Sequence, residues 1–346
     1  MASPRLVVVN PLEYPQWDCQ VSIYPQRTFF HSAAWARILH ETYAHSPCCF
    51  CSFSGGKLQM ALPVMEVSSR LTSRRGVSLP FSDFCAPLCG DDDPASLFEA
   101  ALEYGKERKW KYLECRDGSW RRHGTTAPSM AFYRHVLALK EEEALFKQLD
   151  AAMRRAIRKA ENAGVRVEFS ATLDSVRTFF RLHRVTRQRH GLPPQPWRFF
   201  ENIARYALAT GHGFVAMARL GGIPVAASLF VQFGKEAIYK FGASDYAYQQ
   251  LRANNLVMWE AIKRCASQGF ERLDLGRTSV ANDGLRRFKM GFGASEEKIE
   301  YRKYDFSKRD FVACEDRSEG WVNHVFRRLP SSLLRFSGEV LYPHLS

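Results

Sequence analysis

Apolar residues return at helical spacing through Phe146, Leu149, Met153 and Ile157, with Ala152, Ala156 and Ala160 on the flank. The pattern predicts one amphipathic helix, and Gly164 is placed to end it in a left-handed cap. Residues 165–169, Val-Arg-Val-Glu-Phe, alternate as a strand does. Helices over about 174–189 and 197–208 follow, split by the breaker Gly191-Leu-Pro-Pro-Gln-Pro196. Three strands come next. Residues 214–220 turn at Gly221-Gly222 into 225–233, which turn at Gly234-Lys235 into 237–242. A helix over 254–268 closes on Gly269. A strand over 272–275, a short helix or loop holding Lys289, and a strand over 298–306 complete a β-α-α-β-β-β-α-β-α-β order.

The first half repeats this grammar more weakly. Residues 32–43 read as a helix, 48–53 and 58–67 as a hairpin around Ser54-Gly-Gly-Lys57, 93–106 as a helix and 110–115 as a strand. The helix–glycine–strand spacing near 105–115 mirrors that near 269–275. The expected fold class is therefore α/β with mixed sheets, built as two similar domains in tandem. A degenerate N-terminal domain covers 1–140, a C-terminal domain 141–318 and a helical tail 319–346. The join falls near 137–146. No low-complexity linker separates the halves, so an extensive interface is expected, with the cleft between them as the default binding site.

Composition narrows the partner more than the fold. Of 346 residues, 46% are hydrophobic and 25% charged, as in ordinary globular chains, but the net charge is +13. That excess points to a nucleic acid, a nucleotide-linked substrate or an anionic membrane face. A generally basic protein without such a partner is the plainer alternative. The nine cysteines form no repeated CxxC pair. Cys48-Cys49-Phe50-Cys51 reads as small apolar side chains in a strand rather than a metal site, and free thiols suit a reducing cytoplasm. The N-terminus carries no signal-peptide pattern. The longest apolar stretch, 224–233, is interrupted by Ser228 and Gln232 and is too short to span a bilayer. A cytoplasmic or peripheral protein is expected, with no tightly bound cofactor and an oligomeric state left open.

Candidate chemistry gathers late in the chain. Lys289, in Gly284-Leu-Arg-Arg-Phe-Lys-Met-Gly-Phe-Gly293, can deliver one permanent positive charge to a closed site, for an oxyanion, phosphate or carboxylate. A surface lysine with a buried stem is the bland alternative. Asp274 and Arg277 flank a strand end at Leu275-Gly276, where α/β folds keep their chemistry; a structural salt bridge explains them equally well. Asp274 is the candidate base. Arg154 with Arg158, and Arg155 with Lys159, stack four apart on a helix face. They read either as contacts to phosphate or tRNA backbone or as a solvated face, and Arg158 and Arg277 are the anion-binding candidates. Tyr239 is a core residue or a substrate contact. The tail 321–336 mixes bulky apolar and basic residues, which suits peripheral contact with a membrane face or a helix packed on the second domain.

Three runs, taken in order, resemble the FemAB-related proteins. They are Arg155-Ala-Ile-Arg-Lys-Ala-Glu-Asn-Ala-Gly-Val165, Ala237-Ile-Tyr-Lys-Phe-Gly-Ala-Ser244, and Phe270-Glu-Arg-Leu-Asp-Leu-Gly-Arg-Thr278 followed by Leu285-Arg-Arg-Phe-Lys-Met-Gly-Phe-Gly-Ala294. Phe30-His-Ser-Ala-Ala-Trp35 and Leu79-Pro-Phe-Ser-Asp83 extend the resemblance over nearly the whole chain. It implies two tandem Gcn5-related N-acyltransferase (GNAT-like) domains. It also implies transfer of an amino acid from aminoacyl-tRNA to an amine of a peptidoglycan precursor peptide. The family's lysine that steadies the tetrahedral intermediate corresponds to Lys289. Phe288, Tyr239, Trp35 and Asp83 take substrate-binding positions. Two departures stand out. No lysine lies within 35–39, where the family contacts its nucleotide-linked precursor, and the long helical hairpin of the classical enzymes is missing. The chain is more similar to a short branch associated with exopolysaccharide and protein-sorting gene clusters. An acyl-CoA donor acting on an amino sugar or polysaccharide is the alternative. Such an enzyme wants a glycine-rich turn before the 254–268 helix, where this chain has Tyr248-Gln-Gln-Leu-Arg-Ala-Asn254. A non-catalytic scaffold on a membrane surface is a third reading.

Overall fold

The computed structural model describes residues 5–90, 92–117, 120, 128–313 and 326–345. Its described residues fall into two compact units, one within Met1–Phe132, Lys298–Asp316 and Leu341–Ser346, the other within Tyr133–Glu297 and Arg317–Val340.

The first unit opens with β1 (Arg5–Val9) and α1 (Trp17–Ser22). Then comes α2 (Ala33–Tyr43), started by Ser32, whose hydroxyl accepts from Trp35 N. After β2 (Ser46–Pro47), β3 (Cys49–Ser54) and β4 (Lys57–Leu62) form the expected hairpin, and β1 adds to it in the order β1-β3-β4. The predicted strand 58–67 is two strands. Pro63, which has no N–H to give a ladder, separates β4 from β5 (Met65–Val67), and β5 pairs instead with β2 and with β6 (Arg75–Ser78). The helix α3 (Ala95–Glu107) leads to β7 (Tyr112–Cys115), parallel to β6. Phe50, Leu97, Phe98, Trp110 and Leu113 form the core here.

The second unit carries the site. Its chain enters within β8 (Met130–Ala138), a strand that the sequence reading left unassigned. The single helix expected around 146–160 is α4 (Glu142–Gln148) and α5 (Ala151–Asn162). Leu149 is extended, and the Asp150 carboxylate caps α5 by accepting from Met153 N at 2.6 Å. An aspartate at that point restarts the helix instead of continuing it. Next come β9 (Arg166–Ser170), α6 (Leu173–Arg189) and α7 (Trp197–Ile203), which runs on in a wider turn to Leu208. The strands β10 (Gly213–Leu220), β11 (Ile223–Phe233) and β12 (Glu236–Ser244) meander antiparallel, and α8 (Ala253–Ser267) crosses over to β13 (Arg272–Ser279). Within the unit the order is β13-β12-β11-β10-β9. One sheet face packs on Ile157, Val257, Ile262 and their neighbours from α5 and α8. Phe179, Phe200 and Phe241 cluster around α6 on the other. The short α9 (Asp283–Met290) follows, and then β14 (Ser295–Asp305), which belongs to the first unit from Lys298 onward. The later α10 (Ser331–Leu341) lies against the second unit through Gly338, where a methyl group would stand 2.1 Å from Pro194 O. Of the tail singled out in the sequence, 321–325 lie outside the described residues.

Among the described residues no helix is long and apolar enough to cross a membrane. Cys48, Cys49 and Cys51 are buried, and burial pushes all three thiols up, Cys49 to about 12.

Candidate functional site

The strands β12 and β13 run parallel but stay in register only over Glu236–Ile238 opposite Arg272–Asp274. Both continue, to Ser244 and Ser279. A bulge in β12 helps part them. Leu229 of β11 faces Phe241 while Phe230 faces Tyr239, leaving Lys240 as the extra residue. The polar chemistry gathers at this fork.

Gly276 sits on β13 just past the fork with φ of 73°, a conformation that glycine adopts without strain. Its N–H donates to Asp274 Oδ1 at 2.7 Å, and its carbonyl accepts from Lys289 Nζ at 2.8 Å. The same amine donates to Arg277 O at 2.9 Å. Lys289 is 2% exposed and is the buried residue of α9. A cation taken that far from water needs anchored dipoles around it, and two carbonyls supply them. The helix that carries it is started by Asn282, which accepts from Leu285 N. The glycines after Lys289 are packing positions. A methyl group on Gly291 would meet Met153 and Asp150 at 2.8 and 2.9 Å, and one on Gly293 would meet Gln148 at 2.8 Å. The Phe-Lys-Met-Gly-Phe-Gly run therefore seats α9 against the α4–α5 corner.

Asp274, 3% exposed, also accepts from Arg134 Nε at 2.8 Å, so each carboxylate oxygen has a donor. Arg134 reaches on to Glu297 at 3.0 Å. The burial of Arg134 lowers its affinity for a proton, but Asp274 more than offsets this and the guanidinium stays charged. Beside it, His135 has a side chain fully out of contact with solvent, with Nε2 3.0 Å from Glu296. Burial, and next the charge of Lys289, push its pKa down. Arg286 grips Glu296 with two bonds of 2.6 Å and holds that carboxyl below its ordinary range. Its guanidinium lies 4.4 Å from the centre of the Tyr133 ring. Tyr133, Arg134, His135, Arg286 and Glu296 escaped the sequence reading. Tyr133, Arg134 and His135 stand side by side within 130–138, so no polar–apolar alternation marked the strand that carries them.

The other expected residues are more scattered. Phe288 is half-buried and meets Phe292 edge-on at 5.2 Å. Tyr239 packs on Phe230, and burial raises its hydroxyl to about 12 against an opposing hydrogen bond from Ser228. The bare Cα of Gly242 makes room for that hydroxyl. Arg158 is exposed on α5. In the first unit, Trp35 is 0% exposed among Phe29 and Phe30, so its ring presents no surface to a substrate. Asp83 is half-buried, and its carbonyl accepts from Tyr301 Oη.

The loop into α8 makes its own bonds. Tyr248 N donates to Asp245 O, Ala247 N to Asp245 Oδ1, Arg252 N to Gln249 O and Asn255 N to Arg252 O. Arg252 holds a φ of 60° where a glycine would be at ease.

Residues 147–298 match the family model described as acetyltransferase (GNAT) domain. No curated protein matches the chain. Among solved structures, FemX is similar with a TM-score of 0.68 at 15% identity, over 88% of this chain and 98% of that one. The C-terminal domain of a protein described as a lysylphosphatidylglycerol synthetase from Agrobacterium fabrum has a TM-score of 0.56 at 15% identity, over 83% and 91%. A tandem GNAT protein from the clavulanic acid biosynthesis pathway has 0.56 at 10%, over 88% and 98%. At these identities the likeness is one of fold.

Proposed function

The chain is an acyltransferase with a GNAT domain over 147–298, and on that premise we propose that it moves an aminoacyl group from aminoacyl-tRNA to an amine of a cell-envelope precursor. The acceptor nitrogen attacks the ester carbonyl, a C–N bond forms, and the C–O bond breaks to release the tRNA hydroxyl with the proton lost by the amine. The tetrahedral intermediate carries an oxyanion, and Lys289 supplies the charge that stabilises it. The observation that carries this reading is the position of that amine, pinned by the Gly276 and Arg277 carbonyls just past the fork of β12 and β13. A charge held so is already oriented when the oxyanion develops, which is worth about 3 kcal/mol for a single good donor. Asp274 has both oxygens engaged, so we assign it a positioning role, holding Gly276 and Arg134, in place of the base expected from the sequence.

The donor assignment rests on the loop before α8. The amides of Ala247, Tyr248, Arg252 and Asn255 are bonded within its own turns, which leaves fewer open N–H groups for a coenzyme A diphosphate. The exposed Arg155, Arg158 and Lys159 on α5 suit a polyanionic donor. The names of FemX and of the lysylphosphatidylglycerol synthetase agree with envelope targets; nothing supports an exopolysaccharide acceptor. The test is a transfer assay with radiolabelled aminoacyl-tRNA or acetyl-CoA, against peptidoglycan precursors and aminated lipids. Acceptor-dependent loss of label from tRNA is expected. Turnover of acetyl-CoA alone would reverse the donor assignment, and consumption of neither would reverse the whole reading.

Peripheral membrane contact has one observation in its favour. Leu333, Phe336 and Val340 of α10 are 53%, 62% and 44% exposed on one helical face, close to exposed Arg327 and Arg328. Sedimentation with anionic vesicles, with and without Phe336→Ser, tests it.

A further inference from the structure

Among the described residues, β1 in the first unit is an open edge of the β1-β3-β4 sheet, and it pairs with β3 over Arg5–Val9 without a register shift. An edge strand offers a row of N–H and C=O groups to any chain that can pair with them. Proteins blunt such edges with charge, proline or a bulge, and none of these occurs from Leu6 to Val9. Val8 lies opposite Phe50, whose ring meets that of Tyr104 on α3 edge-on at 5.5 Å, so Val8 is on the sheet face that α3 covers. Leu6, two residues away, shares that face. The helix leaves both uncovered: Leu6 and Val8 are 44% and 46% exposed, against 2% for Phe50.

A groove of about 290 Å³ lies in this step between β1 and α3, and Leu6, Val8, Phe50, Tyr104, Glu103 and Glu107 help to line it. Glu103 and Glu107 are exposed one turn apart on α3, and neither forms an ion pair among the described residues. Like charges at that spacing repel each other. In a chain of net charge +13 they are a local exception. Exposed apolar side chains scattered singly need no explanation. Here an unblunted strand edge, an apolar strip and an acidic pair share one groove. Together they ask for one ligand with an extended backbone, apolar stems and cationic heads.

We propose that β1 takes up an extended basic segment of a partner protein as an added strand. The segment's backbone pairs with the open edge. Lysines or arginines at alternate positions lay their methylene stems on Leu6 and Val8 and carry their charges to Glu103 and Glu107. Alternate residues of a strand stand about 6.7 Å apart, and residues four apart on a helix about 6 Å along its axis, so two successive cations reach both glutamates. A second copy of this chain docked edge to edge would instead bring two more glutamates to the same face. The site shares no residue with the fork around Lys289, so its failure and that of the transfer reading are separate events.

The probe is a fluorescently labelled peptide, Lys-Thr-Lys-Thr-Lys-Thr with blocked ends, titrated into the full chain at low salt and followed by anisotropy. Its control is the same peptide N-methylated at every residue, which keeps the charges and loses the strand donors. Saturable binding is expected, at least about fivefold weaker in Glu103→Gln/Glu107→Gln, the worth of two exposed ion pairs. The N-methylated peptide should lose as much or more. That comparison needs no variant and so holds however the double variant folds. Absence of binding at millimolar peptide, equal binding of the N-methylated form, or unchanged affinity in the folded double variant would overturn the proposal. A dimer in sedimentation equilibrium that Leu6→Lys abolishes and the peptide cannot dissociate would assign the edge to a second copy and overturn it too.

Discussion

Lys289 and Asp274 hold the same residue from opposite ends: the amine takes the Gly276 carbonyl at 2.8 Å and the carboxylate takes the Gly276 N–H at 2.7 Å. One belongs to α9 and the other to β13. Together they lock a left-handed glycine at the point where β13 leaves β12, so the charge of Lys289 is fixed relative to the fork by two bonded contacts.

Lys289→Met removes a cation and strands two carbonyls. With the amine buried, the variant should lose about 1–3 kcal/mol of stability. Transfer should fall by about 100- to 1,000-fold in kcat with little change in KM, the signature of a group acting on the transition state. Urea melts and steady-state assays read the two effects separately. A folded variant with full kcat removes the oxyanion role.

Asp274→Asn keeps the shape and deletes the charge opposite Arg134. Breaking one side of a buried pair should cost about 3 kcal/mol. If Asp274 positions and does not accept a proton, kcat should drop while the pH dependence of the remaining activity keeps its midpoint. A displaced midpoint would restore the role of base.

Gly291→Ala tests how α9 is seated. The new methyl would press on Met153 and on the Asp150 cap at under 3 Å. Part of the strain relaxes through the flexible methionine, so a loss of about 1–2 kcal/mol is expected, with activity falling as Lys289 shifts. Equal stability and activity would show that α9 does not depend on this contact.

His183 makes the fold sensitive to acid. It lies among Phe179, Phe200 and Phe241, hydrogen-bonded to Gln195 at 2.8 Å, and burial pulls its pKa down to about 3. An unfolded histidine titrates near 6.5. Between those values the unfolded chain binds a proton that the folded one refuses, so stability is complete above about 6.5 and falls as pH drops, by up to ~1.4 kcal/mol per pH unit. His183→Phe should flatten the decline measured by urea melts at pH 7.5, 6 and 5. An unaltered slope would show that His183 carries none of it.

Element order and type in the second unit were legible in the chain. Helical spacing in 173–189 and 253–267, and glycine turns at 221–222 and 234, leave little choice once one face of each element must be buried. Helix breaks were less legible, because Leu149 keeps the apolar period while Asp150 caps a new helix, and periodicity registers only the former. Lys289 could be singled out by sequence because a lysine set among apolar residues and glycines is locally conspicuous. Its partners could not be. Gly276 lies thirteen residues away, and Arg134 is 140 residues from Asp274. Local pattern fixes which face a residue presents, whereas a buried charge is neutralised by whatever the assembled sheet and helices bring beside it, and only tertiary structure decides that.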